Sequence, residues 1–459
     1  MMDNEKEKND GVMTGVFDGC LKKARTANTI PPDAFENFRV KRGLREMDGT
    51  GVMAGVTNIG NAHGYMLCEG ERIADTGKLE YRGFDMTELV DGVRAENRYG
   101  FEECVYILLF GQLPTAEELT GFKNLLASKR HLPERFTEDI LMKAPSPSIM
   151  NKMAMGVLAL YAYDENPDDT SLENMLRQSI EVIARLPSIA AHAYAVYRSH
   201  YFKKGLNLHI PKDELGTAQN FLRMLRSNKQ YTEEEARLLD LCMIIQAEHG
   251  GGNNSTFSCR VLSSSGTDTY SAISGAIGSL KGPLHGGANI KVQEMFDCFR
   301  ENIRDVYDDE EVAAFIQKVL NKEAYDGKGL IYGMGHAIYT KSDPRAVILK
   351  KYAHDLAVKK GYGDDFHLLE TIERLTPDLF SAHKGLQKPM CANVDLYSGL
   401  VYRMLEIPVE MYTPLFAMAR VSGWCAHRIE EFQTAKKIIR PAYKCISKPH
   451  PYLPLEERE

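Results

Sequence analysis

From Phe101 onward, the apolar side chains of this chain recur at intervals of three and four residues, the spacing of a helix with one buried face. The first stripe contains Val105, Leu108 and Leu109, and Thr115 followed by an acidic turn marks the start of the next helix. The same spacing predicts helices over Ser148–Tyr163, Ser171–Arg185, Leu215–Arg226, Thr232–Gln246, Asp309–Leu320, Arg345–Lys359 and Tyr412–Phe432. This pattern predicts an all-α fold.

Only one segment of the sequence indicates β-structure. Residues 65–85 alternate short apolar pieces with turn residues, which predicts a small irregular β-hairpin. Ahead of it, residues 1–38 are polar and contain Pro31-Pro32, as expected of an arm that becomes ordered only against something else. The polar stretch 203–234 is either a connector or an insertion around one helix.

The composition excludes several classes of protein. A chain of 459 residues that is 44% hydrophobic can form two or three domains and bury a cleft. Its net charge of -7 argues against a surface that wraps nucleic acid. Nine cysteines without a CxxC pair indicate neither a zinc ribbon nor a complete disulfide framework. The polar N-terminus MMDNEKEKND lacks a signal-peptide stretch, and no run of about 18 apolar residues occurs, so we expect a cytoplasmic protein.

Two histidines lie in glycine-framed segments. In QAEHGGGNN, residues 246–254, the glycines around His249 predict a backbone bent close to a ligand or another chain; a plain helix end is the alternative. In GSLKGPLHGGAN, residues 278–289, His285 precedes a helix N-terminus, whose partial positive charge favours a neutral imidazole. Such an imidazole can donate a hydrogen bond to an enolate oxygen, although a structural turn histidine is the alternative.

The segment GMGHAIYTKSDPRA, residues 333–346, combines a histidine with two cations. Arg345 offers a rigid fork for a carboxylate, whereas Lys341 is a point charge suited to a phosphate. With His336 as a proton donor, these residues predict an anion pocket. The alternative is a charged loop in which Asp343 caps the following helix.

Three further charged residues are candidates for the same site. Asp395, in ANVDLYSGL, is an N-cap by default and a candidate base if it faces the same cavity as His285 and His336. Arg420 lies in the apolar stretch TPLFAMARVSGWCAH and requires an anionic partner or a route to water. Arg440, before Pro441, is a surface cation by default.

Cofactor and metal motifs are weak. The glycines of GTGVMAG, residues 49–55, have dinucleotide-like spacing, but no strand precedes them and no βαβ unit follows. The histidines lack tight metal-ligand spacing, so the sequence indicates no metal site.

Taken in order, these segments resemble the citrate synthase family over residues 58–445. The segments that carry the resemblance are LEYRGFD, FEECVYILLFGQLPT, HGGGNNSTF, GPLHGGAN, GHAIYTKSDPRA and NVDLYSG, of which GPLHGGAN is the most diagnostic. The resemblance implies a mostly α-helical protein whose small domain closes over the active site. It places an N-terminal arm at 1–38, a large domain at 39–286 and 398–459, and the small domain at 287–397.

The resemblance also implies a reaction, the entry step of the tricarboxylic acid cycle. Asp395 is expected to remove a methyl proton from acetyl-CoA while His285 hydrogen-bonds the thioester oxygen. The resulting enolate attacks the carbonyl carbon of oxaloacetate, to whose oxygen His336 donates, and hydrolysis of citryl-CoA then gives citrate and CoA. Acetyl-CoA is a substrate, and neither a metal nor another cofactor is expected.

Substrate-binding roles follow from the same resemblance. The residues implied to hold oxaloacetate or citrate are His249, His336, Arg345, Arg420 and Arg440. The last arginine is expected from the neighbouring subunit, so a homodimer is implied, with no nucleic-acid or membrane partner.

The sequence differs from the family pattern at two positions, and three other functions compete with the one that the resemblance implies. Thr340 stands where many members have a basic residue near the CoA phosphate, so Lys341 takes that role or CoA is held elsewhere; Met334 replaces a common aromatic. The nearest rival is 2-methylcitrate synthase, which uses propionyl-CoA on the same scaffold. A non-catalytic relative that binds CoA or a dicarboxylate is disfavoured by the joint presence of His285, His336 and Asp395. A metalloenzyme that uses those same residues is disfavoured further, and metal analysis of the purified protein would detect it.

Overall fold

The computed structural model describes residues 16–46, 49–68, 71–385, 389–434 and 436–458. The chain forms two compact units: a smaller one from Met1–Ala54 and Arg440–Glu459, and a larger one from Gly55–Ile439. Residues 1–15 of the predicted arm lie outside the described residues. The smaller unit contains helix α1 at 16–27, helix α2 (Asp33–Asn37) and 3-10 turns at Arg42–Leu44 and Leu455–Glu457.

The larger unit is built from helices. Its first half contains α3 (Met86–Ala95), α4 (Phe101–Phe110), α5 (Ala116–Ser128), α6 (Ile149–Ala159), α7 (Leu172–Phe202), α8 (Thr217–Leu225), α9 (Glu233–Gln246), α10 (Asn254–Ser264) and α11 (Thr269–Lys281). Its second half contains α12 (Ala288–Asn302), α13 (Asp309–Leu320), α14 (Pro344–Lys359), α15 (Gly363–Lys384), α16 (Val394–Met404) and α17 (Tyr412–Thr434). Short helical turns lie at Thr137–Met142, Leu160–Tyr163 and Val409–Met411. The prediction of an all-α fold is confirmed.

The predicted hairpin is confirmed as part of a small antiparallel sheet. Its strands, in the order β1-β2-β3, are β1 (Gly60–Cys68), β2 (Glu71–Tyr81) and β3 (Phe84–Asp85). The first strand begins at Gly60 rather than at Tyr65, where the sequence pattern placed it, and a bulge interrupts the ladder between His63 and Tyr65. The turn residues Glu69 and Gly70 lie outside the described residues.

Helix α17 runs through the core of the larger unit. It packs against α4, α7, α9, α10 and α11, and Trp424, Arg420 and Arg428 are among its fully buried side chains. A guanidinium without solvent exposure needs internal partners, because a buried unpaired charge is costly. The helix thus carries Arg420 into the interior of the larger unit.

A second set of helices brings two loops together. Helices α12, α14 and α15 pack on α16, and α14 also contacts α9 and β2. The loop before α14 meets the start of α16 through an antiparallel bridge between Met334 and Ala392. Residues 333–345 and 393–395 therefore lie side by side.

Within the larger unit, the helical predictions differ from the structure at five helices. Helix α7 continues past Arg185 to Phe202 with Pro187 inside it. Helices α3, α10, α11 and α15 are absent from the helices predicted from sequence. Among the described residues, no helix is both long enough and apolar enough to cross a membrane.

Candidate active site

His249 lies in the bend between α9 and α10. The bend turns at Gly250, whose φ of +84° is the left-handed conformation that glycine adopts readily, and the Glu248 carboxylate accepts the Gly250 N–H at 2.5 Å. His249 is 6% exposed, and its Nε2 has no hydrogen-bond partner among the described residues. Burial lowers the pKa of His249 well below its usual value, and neighbouring Arg345 lowers it further, so the ring is neutral.

His285 occupies the turn between α11 and α12. Ser255 is the second residue of α10, and its backbone N–H donates to His285 Nε2 at 3.4 Å. The Ser255 hydroxyl lies 3.0 Å from the same nitrogen. Because the backbone N–H can only donate, it assigns the unprotonated form to Nε2 and the proton of the neutral ring to Nδ1. Burial, with a contribution from the positive charge of Arg420, lowers the pKa of His285 to about 4. The predicted neutral imidazole is thus found, with burial as its main cause.

His336 has the opposite tautomer. Its Nδ1 accepts the backbone N–H groups of Ile338 at 3.0 Å and Tyr339 at 3.1 Å, so the neutral ring carries its proton on Nε2. The ring stacks on Tyr339 at a centroid distance of 4.7 Å and meets His249 edge-on at 5.2 Å. His249 and His336 therefore belong to one site.

Asp395 lies at the start of α16, next to the His336 loop. The expectation that it caps this helix is wrong, because Asn393 is the N-cap and its Oδ1 accepts the Asp395 N–H at 3.0 Å. Asn393 also joins the two loops: its backbone N–H donates to Gly333 at 2.8 Å and its Nδ2 donates to Gly335 at 2.9 Å. Because Asn393 supplies the cap, the Asp395 carboxylate is not needed to cap α16.

The environment of Asp395 suits a base. Burial raises the pKa of Asp395 to about 6, although the nearby Arg345 lowers it and Asp343 raises it again. A carboxylate of this pKa is ionised at pH 7 and is a stronger base than an exposed aspartate.

Arg345 is fixed at the first turn of α14. Asp343 caps that helix, as expected, by accepting the Arg345 N–H at 3.0 Å. The same carboxylate binds the guanidinium in a fork, with Nε at 3.0 Å and Nη2 at 2.7 Å. Burial opposes the charge on Arg345, but Asp343 outweighs it and the pKa is raised, so the guanidinium remains charged at 4% exposure.

Arg420 is the second buried cation of the site. Its Nε donates to the Gln246 carbonyl oxygen at 2.7 Å, while Nη1 and Nη2 have no partner in the described part of the chain. Burial lowers the pKa of Arg420 to about 10, with Glu248 acting in the opposite direction, so the group is charged at pH 7. Two unpartnered N–H donor groups on a buried cation are what an anionic ligand requires.

A buried, hydrogen-bonded network of ionisable side chains includes Glu248, the residue before His249. Arg260 Nε donates to His427 Nδ1 at 3.0 Å, and His427 Nε2 lies 2.9 Å from Glu248 Oε1. Burial opposes ionisation of Glu248, but His427 and Arg420 outweigh it and lower the pKa of this carboxyl below its usual value. Glu248 is therefore an internal counter-ion for Arg420. Sequence analysis missed this group because His427 lies 179 residues from Glu248.

The structure brings six of the eight predicted site residues into one region. These are His249, His285, His336, Arg345, Asp395 and Arg420, linked by the ring contacts and electrostatic interactions above. Lys341 is exposed on the same loop, and the hydroxyl of Thr340 donates to the backbone oxygen of Gly64 in the hairpin. Arg440 is exposed and belongs to the smaller unit.

The arrangement combines the groups needed for carbon–acid chemistry on an anion. A carboxylate base can take a proton from carbon, two neutral imidazoles can donate to developing oxyanions, and two buried guanidiniums can hold carboxylates. Within the described residues, no three His, Cys, Asp or Glu side chains are grouped so that they could hold a metal ion.

Comparisons with known proteins show which family this chain resembles. The family model for the C-terminal domain of citrate synthase matches residues 49–442. A citrate synthase of Synechocystis is 34% identical over 387 residues, covering 83% of this chain and 88% of the relative. A 2-methylcitrate synthase of Corynebacterium glutamicum is 33% identical over 390 residues, covering 84% and 93%.

A solved structure shows the same fold. It is the ternary complex of carboxymethyl coenzyme A and oxaloacetate with citrate synthase from Thermoplasma acidophilum. It superposes with a TM-score of 0.74 at 27% identity, covering 91% of this chain and 99% of that one.

Proposed function

Because this chain belongs to the citrate synthase family, we propose that its buried site of three histidines, one carboxylate and two arginines condenses acetyl-CoA with oxaloacetate. The protein is an acyltransferase of the citrate synthase type, and its products are citrate and CoA. The observation that supports the residue assignment is the arrangement of Asp395, His285 and His336. Asp395 is a base with a raised pKa, and the two imidazoles carry their N–H donors on opposite ring nitrogens, which backbone N–H groups fix.

In the first step, Asp395 takes a proton from the methyl group of acetyl-CoA. The electrons move onto the thioester oxygen, to which the Nδ1–H of His285 donates, and an enol or enolate forms. Its carbon then attacks the carbonyl carbon of oxaloacetate. The Nε2–H of His336 donates to the oxygen that becomes the hydroxyl of citryl-CoA, and water hydrolyses this thioester to citrate and CoA.

Oxaloacetate is held by cations and by His249. Arg345 and Arg420 bind its carboxylates, and the unpartnered Nη1 and Nη2 of Arg420 support this role. Arg440 completes the site from the second subunit of a homodimer, which makes the dimer the smallest active assembly.

A smaller domain of residues 287–397 closes over oxaloacetate before acetyl-CoA reacts. The packing of α12, α14 and α15 on α16 supports a helical group that moves as a body. Closure keeps water from the thioester until the carbon–carbon bond has formed. The remaining parts are an arm at 1–38 and a large domain at 39–286 and 398–459.

The reaction requires no cofactor, since the base, both oxyanion donors and the anion-binding groups all come from the protein. The exposed Lys341 binds a phosphate of CoA, which fits a point charge on the surface of the active-site loop. We place the protein in the cytoplasm, and the nine cysteines support this because all are described and none forms a disulfide.

The test is thiol release from acetyl-CoA and, separately, from propionyl-CoA, each with and without oxaloacetate. We expect release that depends on oxaloacetate and a higher kcat/KM with acetyl-CoA. One methylene changes discrimination by roughly 10- to 200-fold, so slower turnover of propionyl-CoA is compatible with the proposal. A preference for propionyl-CoA would instead assign formation of 2-methylcitrate, and no release from either thioester would indicate a binding protein.

A further inference from the structure

Tyr339 lies at the centre of the site, between groups that already have a role. Its ring stacks on His336, meets His249 edge-on at a centroid distance of 5.6 Å, and lies 5.5 Å from the guanidinium carbon of Arg345. The residue is 2% exposed.

The hairpin holds this ring in place. A Cβ atom on Gly77 would lie 2.8 Å from Tyr339 Cδ1, and one on Gly64 would lie 2.7 Å from Tyr339 Cα. Two strand glycines therefore allow the backbone of β1 and β2 to contact Tyr339 directly. The tyrosine is packed on this side by the sheet and on the other by histidines, so its hydroxyl has little freedom to turn toward another partner.

The hydroxyl has no hydrogen-bond partner within the described residues, although the oxygen is buried. A buried tyrosine hydroxyl ordinarily finds an acceptor, because an unpaired polar group away from water is costly. Two other residues of the site have buried polar atoms without a described partner, namely His249 Nε2 and the Nη1 and Nη2 of Arg420. The family resemblance assigns His249 and Arg420 to oxaloacetate but gives Tyr339 no role.

The electrostatic surroundings favour an anion as the missing acceptor. Arg345 and Arg420 both interact with the phenol, and the nearby carboxylate of Asp343 is already paired with Arg345. Burial raises the pKa of Tyr339, so the phenol keeps its proton at physiological pH and acts as a donor despite these two cations. A carboxylate bound by either arginine would lie close to the Tyr339 phenol.

We propose that the Tyr339 hydroxyl donates a hydrogen bond to a carboxylate of oxaloacetate, alongside the arginines that neutralise its charge. This inference rests on the proposed function for the identity of the ligand. It adds a substrate-binding residue to the site and explains a buried hydroxyl that would otherwise be unsatisfied.

The test is calorimetric titration of the purified protein with oxaloacetate, comparing the wild type with Tyr339→Phe. The phenylalanine ring keeps the stacking on His336 and loses only the hydroxyl. We expect the Kd for oxaloacetate to rise about tenfold, the ordinary value of a hydrogen bond to a charged acceptor, with the melting temperature unchanged. Titration with malate, which has a hydroxyl where oxaloacetate has its ketone, should show the same loss.

Tyr332→Phe is the matched control. Its hydroxyl donates to Asp326 at 2.7 Å, so the substitution removes a phenol that already has a partner in the protein. The control should bind oxaloacetate as the wild type does. An unchanged Kd in Tyr339→Phe would overturn the proposal, and a loss seen with oxaloacetate but not with malate would show that the hydroxyl serves the ketone rather than a carboxylate. Because binding is measured directly, these outcomes are independent of thiol release, which decides the proposed function.

Discussion

At the scale of single residues, two histidines of the site carry their protons on opposite nitrogens. Backbone N–H groups select the tautomers: Ser255 donates to His285 Nε2, while Ile338 and Tyr339 donate to His336 Nδ1. The remaining N–H is then on Nδ1 of His285 and on Nε2 of His336. The two oxygens that gain negative charge in the proposed reaction would each meet one of these donors.

Nitrogen-15 NMR of the imidazole rings tests this assignment. At pH 7 we expect both rings to be neutral, His285 as the Nδ1–H tautomer and His336 as the Nε2–H tautomer. Because burial lowers the pKa of His285 to about 4, its ring should gain a proton only as the pH falls toward that value. Imidazolium shifts for His285 at pH 6.5, or a reversed pair of tautomers, would contradict the geometry.

We expect Asp395 to determine how kcat/KM depends on pH in the acidic range. Its pKa of about 6 predicts that kcat/KM for acetyl-CoA falls as the pH decreases through 6, because only the carboxylate accepts the methyl proton. Asp395→Asn should lower kcat by roughly 10²- to 10⁴-fold at pH 8 while oxaloacetate still binds. Near-normal turnover in this variant would remove Asp395 as the base.

The same residue predicts a change in stability. The folded-state pKa of Asp395 lies above the ordinary aspartate value of 3.8, so folding disfavours the charged form, and the stability of the wild type falls as pH rises from 3.8 through the folded-state pKa. At pH 8, Asp395→Asn should raise the free energy of unfolding by about 1–3 kcal/mol, whereas at pH 4 the gain should be lost. Denaturant melts at the two pH values measure the difference, and a loss of stability at pH 8 would contradict it.

The sequence singled out the residues that are proposed to react and missed those that hold them. Glycine-framed histidines and an arginine in an apolar helix are local patterns, so His249, His285 and Arg420 stood out. Asn393 took the capping position expected of Asp395 because its side chain and backbone also bind the Gly333–Gly335 loop, a contact between segments 58 residues apart. The hydroxyl of Tyr339 likewise became informative only once its surroundings were known.

At the scale of elements, the contact between α17 and the end of α9 depends on one glycine. A Cβ on Gly423 would overlap Glu248 Oε2 and would lie 2.6 Å from the Ala247 carbonyl oxygen. The second of these atoms belongs to the backbone and cannot move aside cheaply. Gly423 is therefore required for the close approach that places Glu248 beside Arg420.

Gly423→Ala should consequently destabilise the protein, although alanine is the better helix former. We expect a loss of about 2 kcal/mol or more in the free energy of unfolding from overpacking, and weaker oxaloacetate binding as Glu248 is displaced. Gly121→Ala is the matched control, since Gly121 lies in α5 and a Cβ added there would have no described neighbour within 4 Å. It should stabilise the protein by about 0.5–1 kcal/mol in the same denaturant melts. Equal effects of the two substitutions would show that the approach of α17 to Glu248 is loose.

Helix positions were predictable where the apolar pattern was periodic, and the failures at α7 and α15 have a common cause. The pattern ended α7 near Pro187, yet the helix continues to Phe202 because Leu186, Pro187 and Ile189 are all buried. Helix α15 likewise contains Pro377 and still runs for 22 residues. In both helices, tertiary packing outweighs the hydrogen bond that proline removes, and a local pattern does not contain that information.

At the scale of the whole molecule, the site is assembled from segments that are distant in sequence. The bend after α9, the turn before α12, the loop before α14, the start of α16 and the middle of α17 each supply at least one functional group. A site of this kind exists only in the folded chain. The proposed role of the exposed Arg440 extends assembly of the site to a second chain.

Mixed dimers of Arg440→Ala and Asp395→Asn chains test that extension. If Arg440 acts across the dimer, a mixed dimer contains one site with both native residues and one site with neither. Random exchange of equal amounts makes half of the dimers mixed, so thiol release should recover to about a quarter of the wild-type value, far above either parent. If Arg440 acts within its own chain, no site in the mixture is intact and activity stays at the sum of the parents. Subunit exchange is verified with one chain carrying an affinity tag, so that the absence of recovery counts directly against a site shared between subunits.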